Sequence, residues 1–160
     1  MDPIIRLSEQ RDLQGLVDLN NTVWNDKNAP ASLHWESPEE YAGYNPPGSQ
    51  LVCVLGDALC GYVSLKQPLK TPSNAHVVEL VIAVNDRFRG LGIGRRLLDF
   101  AYEWGKANGK KKLSLRVMST NEPAVSFYTK CGFGVQGKLV GEFFINGQYV
   151  DDILMYRMIE

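Results

Sequence analysis

The 160-residue chain carries a formal charge of −1, with 44% hydrophobic and 22% charged residues. Those proportions exclude a disordered chain and suit one domain, 1–160, with a substantial core. Beyond Lys110-Lys111-Lys112 there is no basic block, so a large nucleic-acid interface is not expected, since such binding rests on neutralising phosphates.

The start, Met1-Asp2-Pro3-Ile4-Ile5-Arg6, lacks the basic-then-apolar pattern of a secretory leader. No apolar run reaches the roughly 20 residues that span a membrane. The cysteines, Cys53, Cys60 and Cys131, are odd in number, and His34 and His76 are too scattered for a metal cluster. We therefore expect free buried thiols, no metal and a cytoplasmic location.

In chain order, Ile4 to Leu7 predicts a strand. Ser8 is placed to cap a helix from Glu9 to Leu19 that buries Leu13, Leu16, Val17 and Asn20. Residues 21–50 are irregular, apart from a short helix from Pro38 to Tyr44 capped by Ser37. Leu51 to Leu55 and Leu59 to Leu65 predict an antiparallel hairpin about Gly56-Asp57-Ala58. Val77 to Val84 is nearly continuous in apolar residues, as for a strand covered on both faces.

A long helix follows from Gly94 to Asn108, ended by Gly109. Leu113 to Met118 predicts a further strand, and Asn121 is placed to cap a helix through Lys130. Phe133 to Ile145 and Gln148 to Ile159 flank Asn146-Gly147, a strong hairpin signal. The sum is a mixed α/β (α+β) domain built on a central sheet.

Residues 89 to 94 read Arg-Gly-Leu-Gly-Ile-Gly, between the Val77 strand and the long helix. A glycine-rich turn at a helix start aims backbone N–H groups and the positive dipole end at one point, which suits phosphate. A P-loop needs Gly-Lys-Ser/Thr, and Gly94-Arg95-Arg96 does not supply it. A dinucleotide fingerprint needs G-x-G-x-x-G, which the spacing of Gly90, Gly92 and Gly94 does not give. Two readings stay open: an acyl-CoA loop of pattern R/Q-x-x-G-x-G/A, matched by Arg89, Gly92 and Gly94, and an ordinary connection.

A second segment bears on the choice. Leu80 to Ala101 resembles the acyl-CoA core of the GNAT superfamily of N-acetyltransferases, and Asn121 to Phe133 resembles its N-x-x-A-x-x-F-Y-x-x-x-G-F pattern. The resemblance implies a mostly antiparallel central sheet, splayed at the acyl-CoA site and flanked by helices. It implies acetyl-CoA as co-substrate and a primary amine of a small molecule or peptide as acceptor. The backbone of Ile82, Ala83 and Val84 would hold the pantetheine. The N–H groups of Arg89, Gly90, Leu91, Gly92, Ile93, Gly94 and Arg95 would take the pyrophosphate. Asn121 would contact the cofactor arm, and Tyr128 would be the general acid for the departing thiolate. Asn85-Asp86 departs from the family, where many members carry proline.

An amine with an ordinary pKa of about 10.4 must lose a proton before it attacks a thioester. Glu79 is the candidate base, as the one charged residue in an apolar strand; pairing with a neighbouring strand or lying at an exposed strand end is the structural alternative. Glu142, Tyr149, Asp151 and Asp152 are placed to attract a cationic amine, or to lie on a solvated face. Dimers are common among relatives, so a homodimer is an open expectation. Rival functions are a non-catalytic acyl-CoA-binding module and an ATP-binding enzyme.

Overall fold

The computed structural model describes residues 2–160. Seven strands follow one another in the hydrogen-bonded order β1-β2-β3-β4-β5-β7-β6. They are β1 (Ile4–Leu7), β2 (Gln50–Leu55), β3 (Ala58–Lys66), β4 (Val77–Val84), β5 (Lys112–Met118), β6 (Gly134–Ile145) and β7 (Gln148–Met158). The helices are α1 (Leu13–Val23), α2 (Pro38–Tyr44), α3 (Ile93–Ala107) and α4 (Glu122–Lys130). The chain divides into two compact units.

The first unit holds the segment ending at Val23, Leu33–Lys66 and Leu80–Trp104. Here β1 pairs antiparallel with β2, and β2 with β3. Leu13, Leu16 and Val17 of α1 are buried, as their helical spacing predicts. The start of that helix corrects the sequence reading. A 3₁₀ turn, Gln10–Asp12, precedes α1, and the Asp12 carboxylate accepts from the Glu9 N–H at 2.7 Å. Ser8 is not the cap; its buried hydroxyl accepts from the Gly48 N–H at 3.1 Å. Asp12 is fixed by the Arg6 guanidinium at 2.7 and 2.9 Å.

A buried polar chain links four elements of this unit. Tyr62 donates to Asn20 Oδ1 at 2.7 Å, and Asn20 Nδ2 donates to the Tyr41 hydroxyl at 3.3 Å. Tyr41 in turn donates to Gln50 Oε1 at 2.8 Å, and Gln50 Nε2 to the Ser64 hydroxyl at 2.8 Å. All five side chains are buried, so each bond offsets a desolvation cost. The Asn85 N–H donates to the Cys60 carbonyl at 2.7 Å. A side chain at Gly61 would put its Cβ 2.7 Å from the Ala83 carbonyl oxygen, so only glycine admits this close approach.

The second unit holds Trp24–Ser32, Gln67–Glu79 and Gly105–Glu160. β4 and β5 run parallel and are in register over three pairs: Val77 with Lys112, Val78 with Leu113, and Glu79 with Ser114. β7 pairs antiparallel with β5 along the whole length of β5, and with β6. Asn146 and Gly147 have φ of 52° and 76°, as a two-residue I′ hairpin turn requires. The β6 register shifts between Leu139 and Phe143, where Gly141 has φ 62° and donates to the Asp151 carboxylate at 2.7 Å. At the far end, a Cβ at Gly105 would meet Ile159 and Leu113, and one at Gly132 would meet Arg157. The ends of α3 and α4 therefore pack on the sheet face that carries Leu113 and Arg157.

The remaining elements follow the sequence to within a residue or two at most ends. Cys53, Cys60 and Cys131 are buried and form no disulfide among the described residues, as expected. No helix among the described residues is long and apolar enough to cross a membrane.

Candidate active site

The glycine-rich turn lies in the first unit. After β4, the Asn85 side chain accepts from the Arg87 N–H at 3.0 Å and starts a 3₁₀ turn, Asp86–Phe88. This asparagine does the work of a turn-former where the family often carries proline. Gly90 and Gly92 then adopt φ of 82° and 72°, the left-handed region that favours glycine. A Cβ at either would find no atom within 4 Å. The glycines are thus required by backbone conformation and leave open space above the turn.

α3 begins at Ile93, and its first backbone bond runs from the Arg96 N–H to the Gly92 carbonyl at 3.1 Å. The N–H groups of Gly92, Ile93 and Gly94 have no acceptor among the described residues. A helix start with unsatisfied donors is an anion site, and no acidic residue occupies its first turn. Arg95 and Arg96 are exposed in that turn, and Arg89 is exposed and paired with Asp86 at 2.6 Å. Leu91 is exposed, whereas Ile93 is buried and anchors the helix start. Upstream, Ala83 is buried and Ile82 and Val84 are half-buried.

The strand itself departs from expectation. β4 is not covered on both faces: Val81 is 43% exposed, and Glu79 is half-buried. The carboxylate of Glu79 has no ion pair among the described residues, and its backbone pairs with Ser114. Paired positions put their side chains on one side of a sheet. Glu79, Ser114 and Arg116 therefore share a face, opposite the one on which α4 packs.

In the second unit, α4 carries Tyr128 between Phe127 and Phe133, with ring centroids 5.4 and 5.9 Å away. Burial, with Cys131 adding to it, pushes the phenol pKa well above its ordinary value. Its hydroxyl has no hydrogen-bond partner among the described residues. Asn121 does not cap α4 with its side chain; the helix is bonded there from the Ala124 N–H to the Asn121 carbonyl at 3.1 Å. The half-buried carboxamide of Asn121 is thereby left available to a ligand.

Of the hairpin acids, Asp151 and Asp152 have partners, whereas Glu142 is exposed and has no ion pair among the described residues. Asp151 accepts from Gly141, and the Arg116 guanidinium lies 3.2 Å from Asp152, which is 3% exposed. Burial raises the Asp152 pKa, and Arg116 opposes that shift only in part. The sequence reading passed over Arg116, yet it bears the signal that singled out Glu79: one charged side chain inside an apolar strand, Leu113 to Met118. No group of three or more His, Cys, Asp or Glu side chains among the described residues is placed to hold a metal.

Comparison with known proteins shows the family. The model of the Acetyltransferase (GNAT) family matches residues 13–133. The spermidine N(1)-acetyltransferase of Vibrio cholerae is 29% identical over 158 residues, 95% of this chain and 90% of that protein. The L-amino acid N-acetyltransferase AaaT of Escherichia coli is 26% identical, over 97% of each chain. The crystal structure of smu.2055 from Streptococcus mutans superposes with a TM-score of 0.89 at 31% identity, covering 98% of this chain and 99% of that one. The chain belongs to the GNAT family and is an acyl-CoA-dependent N-acetyltransferase.

Proposed function

We propose that the protein moves an acetyl group from acetyl-CoA to a primary amine of a small molecule or peptide, by direct attack in a ternary complex. The observation that carries this reading is the turn at Gly90 and Gly92, whose helix start presents unsatisfied N–H groups beneath open space. Three consecutive donors and the dipole end suit a pyrophosphate. The N–H groups from Gly90 to Arg95 hold that group; the Arg89 N–H, expected to join them, instead donates to the Asp86 carbonyl at 3.3 Å, and the exposed Arg95 and Arg96 add positive charge. The backbone of Ile82, Ala83 and Val84 holds the pantetheine as a further strand would. A backbone N–H there stabilises the oxyanion of the attack. Asn121 contacts the arm with its free carboxamide.

Glu79 takes the amine proton, directly or through water, on the sheet face away from α4. Tyr128 gives its proton to the departing thiolate. The raised pKa keeps that proton in place at neutral pH, and no acceptor among the described residues competes for it.

Calorimetry with CoA and with ATP tests the binding step; a preference for ATP would overturn it. Tyr128→Phe should slow turnover about 100-fold, the usual scale of a positioned proton donor, while CoA still binds. Unchanged turnover would remove its acid role. Glu79→Gln should slow acetylation most at lower pH, where fewer amines are already neutral. A pH profile parallel to that of the parent would leave Glu79 a structural part only.

A further inference from the structure

Arg116 is the first residue of β5 beyond the three-pair β4–β5 ladder that lies on the same face as Glu79. It follows Ser114, the partner of Glu79, by two residues, about 7 Å along the strand. Its side chain is 55% exposed, and one nitrogen is held by Asp152 at 3.2 Å. Asp152 is buried and sits opposite Met118 on β7, so it tethers the guanidinium from the same face. A guanidinium has five N–H donors in a planar fork. Anchored through Nη1, it presents the rest to solvent beside the proposed base.

We propose that Arg116 recognises a carboxylate on the acceptor, close to the amine that Glu79 deprotonates. This deepens the acetyl-transfer reading and rests on it. The acceptor is then an amino acid or a related amino-carboxylate rather than a polycation. The engagement of Asp152 favours the same choice. Asp152 is engaged by the Arg116 guanidinium, so it is not free to draw a second ammonium group. A polyamine would instead bring positive charge against Arg116. Asp152 is a positioning residue: it aims the fork and does not touch the acceptor.

The test measures thiol release from acetyl-CoA with an L-amino acid, its amide, the matching amine without a carboxyl group, and spermidine. The parent should favour the acid over its amide by about 10- to 100-fold in kcat/KM, the range for a hydrogen bond between charged groups. Arg116→Gln should bring that ratio towards one, and Arg116→Lys should restore it in part. Because Arg116→Gln strands a buried carboxylate, the double variant Arg116→Gln/Asp152→Asn is measured beside it, with thermal unfolding of each. Asp152→Asn alone should raise KM for the acid more than it lowers kcat.

A parent that favours spermidine or treats acid and amide alike overturns the proposal and leaves acetyl transfer standing. So does an Arg116→Gln variant that slows every acceptor equally. A protein that binds CoA yet releases no thiol with any amine overturns the wider reading, and this one with it.

Discussion

Replacing Gly92 by alanine isolates what the turn requires. The residue has φ 72°, and a new Cβ would find no atom within 4 Å, so no clash contributes. The whole effect is the left-handed conformation, which costs an L-residue about 1–2 kcal/mol. If the turn keeps its shape, that cost falls on stability. For a chain of this length it lowers the melting temperature by about 2–8 °C. If the turn relaxes instead, the N–H groups of Gly92, Ile93 and Gly94 lose their common aim. The same energy then appears as an affinity for CoA weaker by about 5- to 30-fold. The two readouts share one sum, so thermal unfolding and CoA titration must be made on the same preparation. Gly92→Asn should lose less by both, because asparagine enters the left-handed region more readily. An alanine variant that melts and binds CoA as the parent does would refute the cradle.

Two further expectations concern the first unit. Tyr41→Phe removes the hydroxyl that donates to Gln50 Oε1, leaving that buried amide oxygen without its donor at about 1–3 kcal/mol, while Asn20 Nδ2 keeps the Leu16 carbonyl; urea unfolding should show the loss, and an unchanged midpoint would refute it. Burial pulls the Asp12 carboxyl pKa upward, but the Arg6 and Glu9 hydrogen bonds and the charges of Arg6 and Arg11 leave it lowered. A lowered carboxyl contributes stability that is present above its unfolded pKa of about 4 and fades as pH falls through the folded value. Arg6→Gln should therefore unfold at a higher pH on acidification than the parent, followed by circular dichroism; coincident acid transitions would count against the pair.

Local signals in the chain were read well where the physics is local. Asn146-Gly147 forms its turn because both residues tolerate positive φ, and the glycines at 90 and 92 do the same. The helical stripe Leu13, Leu16, Val17 and Asn20 is buried as its spacing implies. Distant partners undid the other inferences. Ser8 has the chemistry of a helix cap, but its hydroxyl serves Gly48, 40 residues away, while Arg6 fixes Asp12 in the capping role. Asn121 likewise has capping chemistry, yet its backbone carbonyl receives the helix bond. The apolar run of β4 suggested cover on both faces because composition alone cannot register that Val81 is open. Arg116 was legible as a lone charge in a strand, but its bearing on Glu79 needed the register of β4 against β5.

β6 ends the strand order, and so offers a row of backbone groups to any other extended chain. The bulge at Gly141 interrupts that row at its middle, and Lys138 and Glu142 stand on either side of it. Val140, 82% exposed, is carried outward where a flat edge would have let it stack. The hydrogen bond from Gly141 to Asp151 that shapes the bulge thus also breaks the continuous edge that strand-to-strand pairing would need.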